Sequence, residues 1–291
     1  MSRIQQILDK AERDGAVQRL RVVIEAPPAP STDTTVRPPA GTAVADPAAA
    51  GPIVADPVAV DAAGRRSPAP GATAPAGRSV AGVRLDRRLV ATGAAKSAAA
   101  EQYRALRTRI LHGDTGMAVN VVLVTSPSDG DGKTLTVANL GLTMAQEFQR
   151  RVCVVDANMR QPQLHRLFGL ADSPGLSDVL LGRTTIAEAC VSLEDHGITL
   201  LTSGPVPIYP AELLGSIIMR RTLEQLRTRF DTVIVDAPAA LPLADVGILT
   251  SVVDSVVVVV RAGVTPKPAI HDTMSTLDPG KVLGIVLNDA T

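Results

Sequence analysis

The stretch Val121-Val-Leu-Val-Thr-Ser-Pro-Ser-Asp-Gly130-Asp-Gly132-Lys133-Thr134 decides the fold of this sequence. Its unbroken apolar run predicts a strand buried on both faces, and the residues from Thr134 onward open a helix. Gly130 and Gly132 let the backbone curl so that successive N–H groups face a phosphate, while the helix N-terminus adds its dipole. Lys133 is placed to reach the β- and γ-phosphates of a nucleotide, and the Thr134 hydroxyl to ligate Mg²⁺. The expected nucleotide-binding set is Ser128, Asp129, Gly130, Asp131, Gly132, Lys133, Thr134 and Leu135. Pro127 stands where the first glycine of such a loop usually falls.

Two further apolar runs end in a carboxylate: Val154-Val155-Asp156-Ala157-Asn158-Met159-Arg160 and Val233-Ile234-Val235-Asp236-Ala237-Pro238. Open parallel sheets bind ligands at the C-terminal ends of their strands, so Asp156 and Asp236 are expected to converge on Mg²⁺ beside Thr134. Lys133, Asp156 and Asp236 are the catalytic candidates. Strands are expected at 120–125, 151–156, 198–202, 232–236, 255–261 and 282–288, alternating with helical patterns. The fold class is therefore α/β: a P-loop NTPase with a mostly parallel sheet and helices on both faces.

Ahead of this domain the composition changes. Of the 22 prolines, 11 fall between Pro27 and Pro75, in an Ala-rich stretch without an aromatic residue. Such a segment cannot bury enough surface to offset chain entropy, so residues 26–92 are expected to be a disordered linker and 93–291 the folded domain. In residues 1–25, Ile4, Ile7, Leu8 and Ala11 repeat at helical spacing behind a Ser2/Gln5 capping pair, and Gly15 can close the helix. This short amphipathic helix is a candidate docking segment.

The whole chain of 291 residues balances 29 Lys+Arg against 29 Asp+Glu, and aromatic residues make up 2% of it with no tryptophan. A purely electrostatic hold on nucleic acid is not expected, and stacking platforms for single strands are nearly excluded. Only two cysteines, Cys153 and Cys190, occur, which fits a reducing cytoplasm. The longest apolar run, Ser255 to Val260, is far short of the ~20 residues that cross a bilayer.

The three motifs together resemble the bacterial tyrosine kinases of polysaccharide synthesis: Walker A at 128–134, Walker A′ at Asp156 and Walker B at Asp236. The resemblance runs on through Pro174-Gly-Leu-Ser-Asp-Val-Leu180, Ser203-Gly-Pro-Val-Pro207, Pro210-Ala-Glu-Leu-Leu214 and the strand ending at Asn288, about 195 residues in all. It implies a Mg-ATP-dependent protein-tyrosine kinase regulating capsule or exopolysaccharide synthesis and export. It also implies recruitment from the cytoplasm to the inner face of the membrane by a Wzz-like transmembrane co-polymerase. Glu101, Arg104 and Arg107 fit the Glu-x-x-Arg-x-x-Arg pattern of the family's ring-forming helix, which implies a homo-oligomer.

Three departures mark this sequence. Asn158 replaces the second aspartate of Walker A′, removing one negative charge near the metal; its amide carbonyl is a substitute ligand. The family's C-terminal tyrosine cluster has no counterpart, since only Tyr103 and Tyr209 occur. That favours the alternative of a regulatory ATPase or pseudokinase in the same machinery. The residue five before the Walker lysine is Ser128, where MinD/ParA-type positioning ATPases carry a lysine that reaches a neighbour's nucleotide, so that reading ranks third.

Overall fold

Strand β3, Val121–Ser126, is buried along its whole length, and its side chains alternate between two hydrophobic clusters. Val121 and Leu123 join one, Val122 and Val124 the other. A strand in the middle of a sheet covered on both sides needs apolar residues at every position, which is why its sequence shows no alternation. The computed structural model describes residues 21–23, 77–92, 97–112, 119–147, 149–242 and 245–288. The expected terminal helix around Ile4, Ile7, Leu8 and Ala11, and residues 26–76, lie outside them.

The described strands form one nine-stranded sheet, in the order β1-β9-β8-β3-β7-β4-β6-β5-β2. They are β1 (Arg21–Val23), β2 (Arg78–Val80), β3, β4 (Val152–Asp156), β5 (Cys190–Leu193), β6 (Ile198–Leu201), β7 (Thr232–Ala239), β8 (Ser255–Arg261) and β9 (Val282–Asn288). All neighbours from β9 to β6 run parallel; β5 is antiparallel to β6, and β1 to β9. The six strands expected from sequence all form, within a residue or two except that β7 runs on to Ala239.

One face is covered by α1 (Ala98–His112), α2 (Lys133–Ala145) and α3 (Leu164–Leu167), through Tyr103, Leu106, Ile110, Val137, Leu140, Leu164 and Phe168. Two short helices, α4 (Leu176–Leu180) and α5 (Ile186–Ala189), lead into β5. The other face carries α6 (Pro210–Leu214), α7 (Ile217–Arg229), α8 (Asp245–Thr250) and α9 (Lys267–Thr276), through Leu214, Met219, Leu223, Leu226, Leu249 and Ile270. Helix α2 lies very close to the sheet. A Cβ on Gly141 would fall 2.6 Å from Val154 Cγ2, so a side chain there would push the helix off the strands.

The domain begins earlier than expected. Residues 77–92, assigned from composition to the linker, form a strap over the domain. Strand β2 pairs in parallel with β5, the Asp86 N–H donates to the Leu167 carbonyl at 2.9 Å, and Leu89 is buried. Asn139 of α2 accepts the Ala91 N–H and donates to the Arg88 carbonyl, while Gln146 donates to the Ala91 carbonyl. The strap has no core of its own and takes its burial from surfaces distant in sequence, so composition alone does not reveal it. Residues 21–23, within the segment expected to hold only the terminal helix, pair with Leu287, Val286 and Ile285 of β9 as a strand.

Candidate active site

Parallel pairing brings the three motifs to one edge. Asp236 on β7 is the register partner of Val124 on β3 and of Asp156 on β4. The chain leaves β3 through residues 127–132 and enters α2 at Lys133, with Gly130 at φ 86° and Gly132 at φ 95°. These left-handed conformations suit glycine, as the spacing predicts.

The aspartate pair sits in a dry environment. Asp156 and Asp236 are both fully buried. Asp156 Oδ1 accepts the Asn158 N–H and Oδ2 the Leu164 N–H, each at 3.1 Å. Burial first, then the negative charge of Asp236, pushes its carboxyl well above the usual range. Neither oxygen of Asp236 has a hydrogen-bond partner, and burial raises its carboxyl to about 7. The Thr134 hydroxyl and the Lys133 ammonium face it and oppose the shift without closing a hydrogen bond of ordinary length. A buried carboxylate with both oxygens unpartnered, next to a hydroxyl at a helix N-terminus, suits a hard divalent cation. No cluster of three His, Cys, Asp or Glu occurs among the described residues.

The individual loop residues differ from expectation in informative ways. Lys133 is nearly buried, and its Nζ meets Asp129 Oδ1 at 3.1 Å. That carboxylate stands in for an anionic oxygen. The Ser128 N–H is already donated to Asp131 Oδ2 at 2.9 Å, so it is not among the amides free to face a phosphate. Leu135 packs against the core beneath α2, which leaves only its main chain to serve a ligand. The Asn158 side-chain amide oxygen, the expected substitute ligand, accepts the Gln161 N–H at 3.4 Å.

One contact escaped the sequence. Arg160, three residues after Walker A′, makes a two-pronged ion pair with Asp245 at 2.8 and 3.1 Å, and Asp245 is 1% exposed. This fixes the loop after Asp156 to α8. Nothing local announces a partner 85 residues away.

On α1, Glu101 and Arg104 pair with each other within the helix. Arg107 turns inward and donates to the Thr143 carbonyl at 2.9 Å. Its guanidinium thus holds α1 to α2, which corrects the expectation that all three charges point to a neighbouring subunit. Tyr103 is buried in the cluster between these helices, whereas Tyr209 is 66% exposed.

With this geometry in place, comparison with known proteins is specific. Residues 119–278 match the AAA domain family. The tyrosine-protein kinase YwqD of Bacillus subtilis is 35% identical over 209 residues, covering 71% of this chain and 88% of that protein. The chain belongs to the bacterial tyrosine-protein kinase family. Among solved structures, the kinase domain of Escherichia coli tyrosine kinase ETK superposes with a TM-score of 0.66 at 28% identity, over 69% of this chain and 80% of that one. The chimerical protein CapA2B2 gives a TM-score of 0.67 at 29% identity, over 73% and 93%. Family membership and the P-loop α/β fold read from the motifs are borne out, and with them the reading of the chain as an enzyme. Among the described residues, no helix is long and apolar enough to cross a membrane.

Proposed function

We propose that the chain transfers the γ-phosphoryl group of Mg-ATP to tyrosine on a protein, within the machinery of capsule or exopolysaccharide synthesis. The observation that carries this reading is the buried, unpartnered carboxylate of Asp236 beside Thr134 and Lys133. Lys133 and the free amides of residues 129–134 bind the phosphate chain. Thr134 and Asp236 would hold Mg²⁺, with Asp156 alongside. The cation, when bound, supplies positive charge against the triphosphate.

Asp156 orients the tyrosine hydroxyl and takes its proton as the oxygen attacks. Its burial and the charge of Asp236 raise its carboxyl toward the range in which a general base works. The two backbone donors on its oxygens hold the carboxylate in one orientation. Arg160, anchored on Asp245, keeps the following loop in place. By analogy with the family, the partner is a Wzz-like transmembrane co-polymerase that recruits the chain to the inner membrane face, and the copies assemble with Glu101 and Arg104 at the contact.

The test is Lys133→Met, assayed for nucleotide binding and for phosphotyrosine by mass spectrometry after incubation with Mg-ATP and the membrane partner. Loss of both signals in a folded variant supports the reading; unchanged binding and turnover overturn it. A second reading, a regulatory ATPase or pseudokinase of the same machinery without tyrosine kinase activity, is favoured by one observation: of the two tyrosines Tyr103 is 5% exposed, which leaves Tyr209 as the single accessible acceptor on this chain. Phosphate release without phosphotyrosine on chain or partner would select it.

A further inference from the structure

Asp131 sets a physical problem, because a carboxylate at the crest of a phosphate-binding loop repels the ligand the loop is shaped for. It is 2% exposed. Its three oxygens are all committed. Oδ2 accepts the Ser128 N–H at 2.9 Å, Oδ1 accepts the Thr265 hydroxyl at 2.6 Å, and the main-chain carbonyl accepts the Asn288 side-chain amide at 2.9 Å.

Thr265 is itself oriented, since its Oγ1 accepts the Arg261 N–H at 2.9 Å. The hydroxyl proton is thereby left for Asp131. Asn288, the last residue of β9, closes in so far that a Cβ on Gly132 would lie 1.9 Å from its Nδ2. The crest is thus gripped from outside the loop, by the turn after β8 and the end of β9, while Gly130 and Gly132 on either side keep positive φ.

We propose that Thr265 and Asn288 are positioning residues for nucleotide binding, acting through Asp131. They hold the 128–132 backbone in its curled form before a ligand arrives, so the amides need no reordering when phosphate binds. Preorganisation of this kind lowers the cost of association. The carboxylate's hydrogen bonds direct it to Ser128 and Thr265, which accounts for an acidic residue at this place. The inference rests on the reading of this loop as the nucleotide site.

The experiment uses the full chain and a fluorescent N-methylanthraniloyl-ADP titration with Mg²⁺, together with KM and kcat for phosphate release from ATP. Thr265→Val removes the hydroxyl while keeping shape, Thr265→Ser restores it, and Asn288→Ala removes the second grip. Loss of a hydrogen bond to a charged group predicts about tenfold weaker binding for Thr265→Val, with a similar rise in KM and kcat within about twofold. Thr265→Ser should return to within about twofold of wild type, which a packing defect alone would not show. Should Thr265→Val fail to fold, Asn288→Ala carries the same expectation. Wild-type affinity in the folded variants, or a serine variant as weak as the valine one, overturns the proposal while leaving the site reading intact. A wild type that binds no nucleotide overturns both.

Discussion

Lys133 holds the carboxylate of Asp129, four residues before it, at 3.1 Å, so the cation that a triphosphate requires is already engaged. Asp129 is 58% exposed and Lys133 7%. The acid can therefore swing to water when phosphate displaces it, while the lysine stays where it is.

Removing the competitor should tighten binding. Partly exposed ion pairs are worth about 0–1 kcal/mol, so Asp129→Ala is expected to lower the dissociation constant for ADP by up to about fivefold. Isothermal titration of wild type and variant decides the matter. Weaker binding in the variant would mean that Asp129 helps hold the ligand.

Asp236 makes the nucleotide-free protein pH-sensitive. Its carboxyl lies at about 7 in the fold against 3.8 ordinarily, so between these values the folded state binds more protons than the unfolded one. Stability from this group is then highest at low pH and falls as pH rises from about 4 to about 7. The Asp236→Asn variant should lose that part of the slope in melts between pH 4.5 and 7.5. Mg²⁺ on the carboxylate would expel its proton, so Mg-ADP binding at pH 6 should release protons in wild type and fewer in Asp236→Asn. Calorimetry in two buffers of different ionisation enthalpy measures the difference.

The strap fixes where the domain can be cut. Deleting residues 1–76 removes only the three-residue β1 from the described fold and should lower the melting temperature by less than about 5 °C. Deleting 1–92 uncovers the site of Leu89 and strips Asn139 of its Ala91 and Arg88 partners. Burial of a leucine is worth about 1.5–3 kcal/mol and each lost hydrogen bond about 0.5–1.5 kcal/mol, so this cut should cost roughly 10 °C or more. Equal melting temperatures for the two truncations would return the boundary to residue 93.

Arg160→Ala should be far more damaging than its exposed position suggests. It leaves Asp245, 1% exposed, as an uncompensated buried charge, a change that costs about 3–5 kcal/mol. Adding Asp245→Asn removes the charge and should recover much of that loss in a double-mutant cycle. Additive effects would show that the pair does not act as a unit.

The candidate site was legible because each of its parts is local. The glycines carry their turn in their own φ preference, and Asp156 and Asp236 mark the ends of runs whose burial shows in composition. Contacts that join distant segments left no such trace. Asn139 gives no sign in sequence that it caps a strap 48 residues upstream, nor Arg107 that it serves Thr143 rather than a neighbour. Strand β5, Cys190–Leu193, is four residues long and follows a four-residue helix, too short for either period to register.

The burial of Tyr103 also equips the protein with an optical reporter. The chain has no tryptophan and only two tyrosines, and Tyr103 lies beside Thr136 and Asn139 on the helix that begins at Lys133. Tyr209, open to solvent, gives a signal averaged by water and can be replaced by phenylalanine. In that background the tyrosine band of the near-ultraviolet circular dichroism would come from a single ring and follow the first turns of α2 as nucleotide arrives, with no label attached.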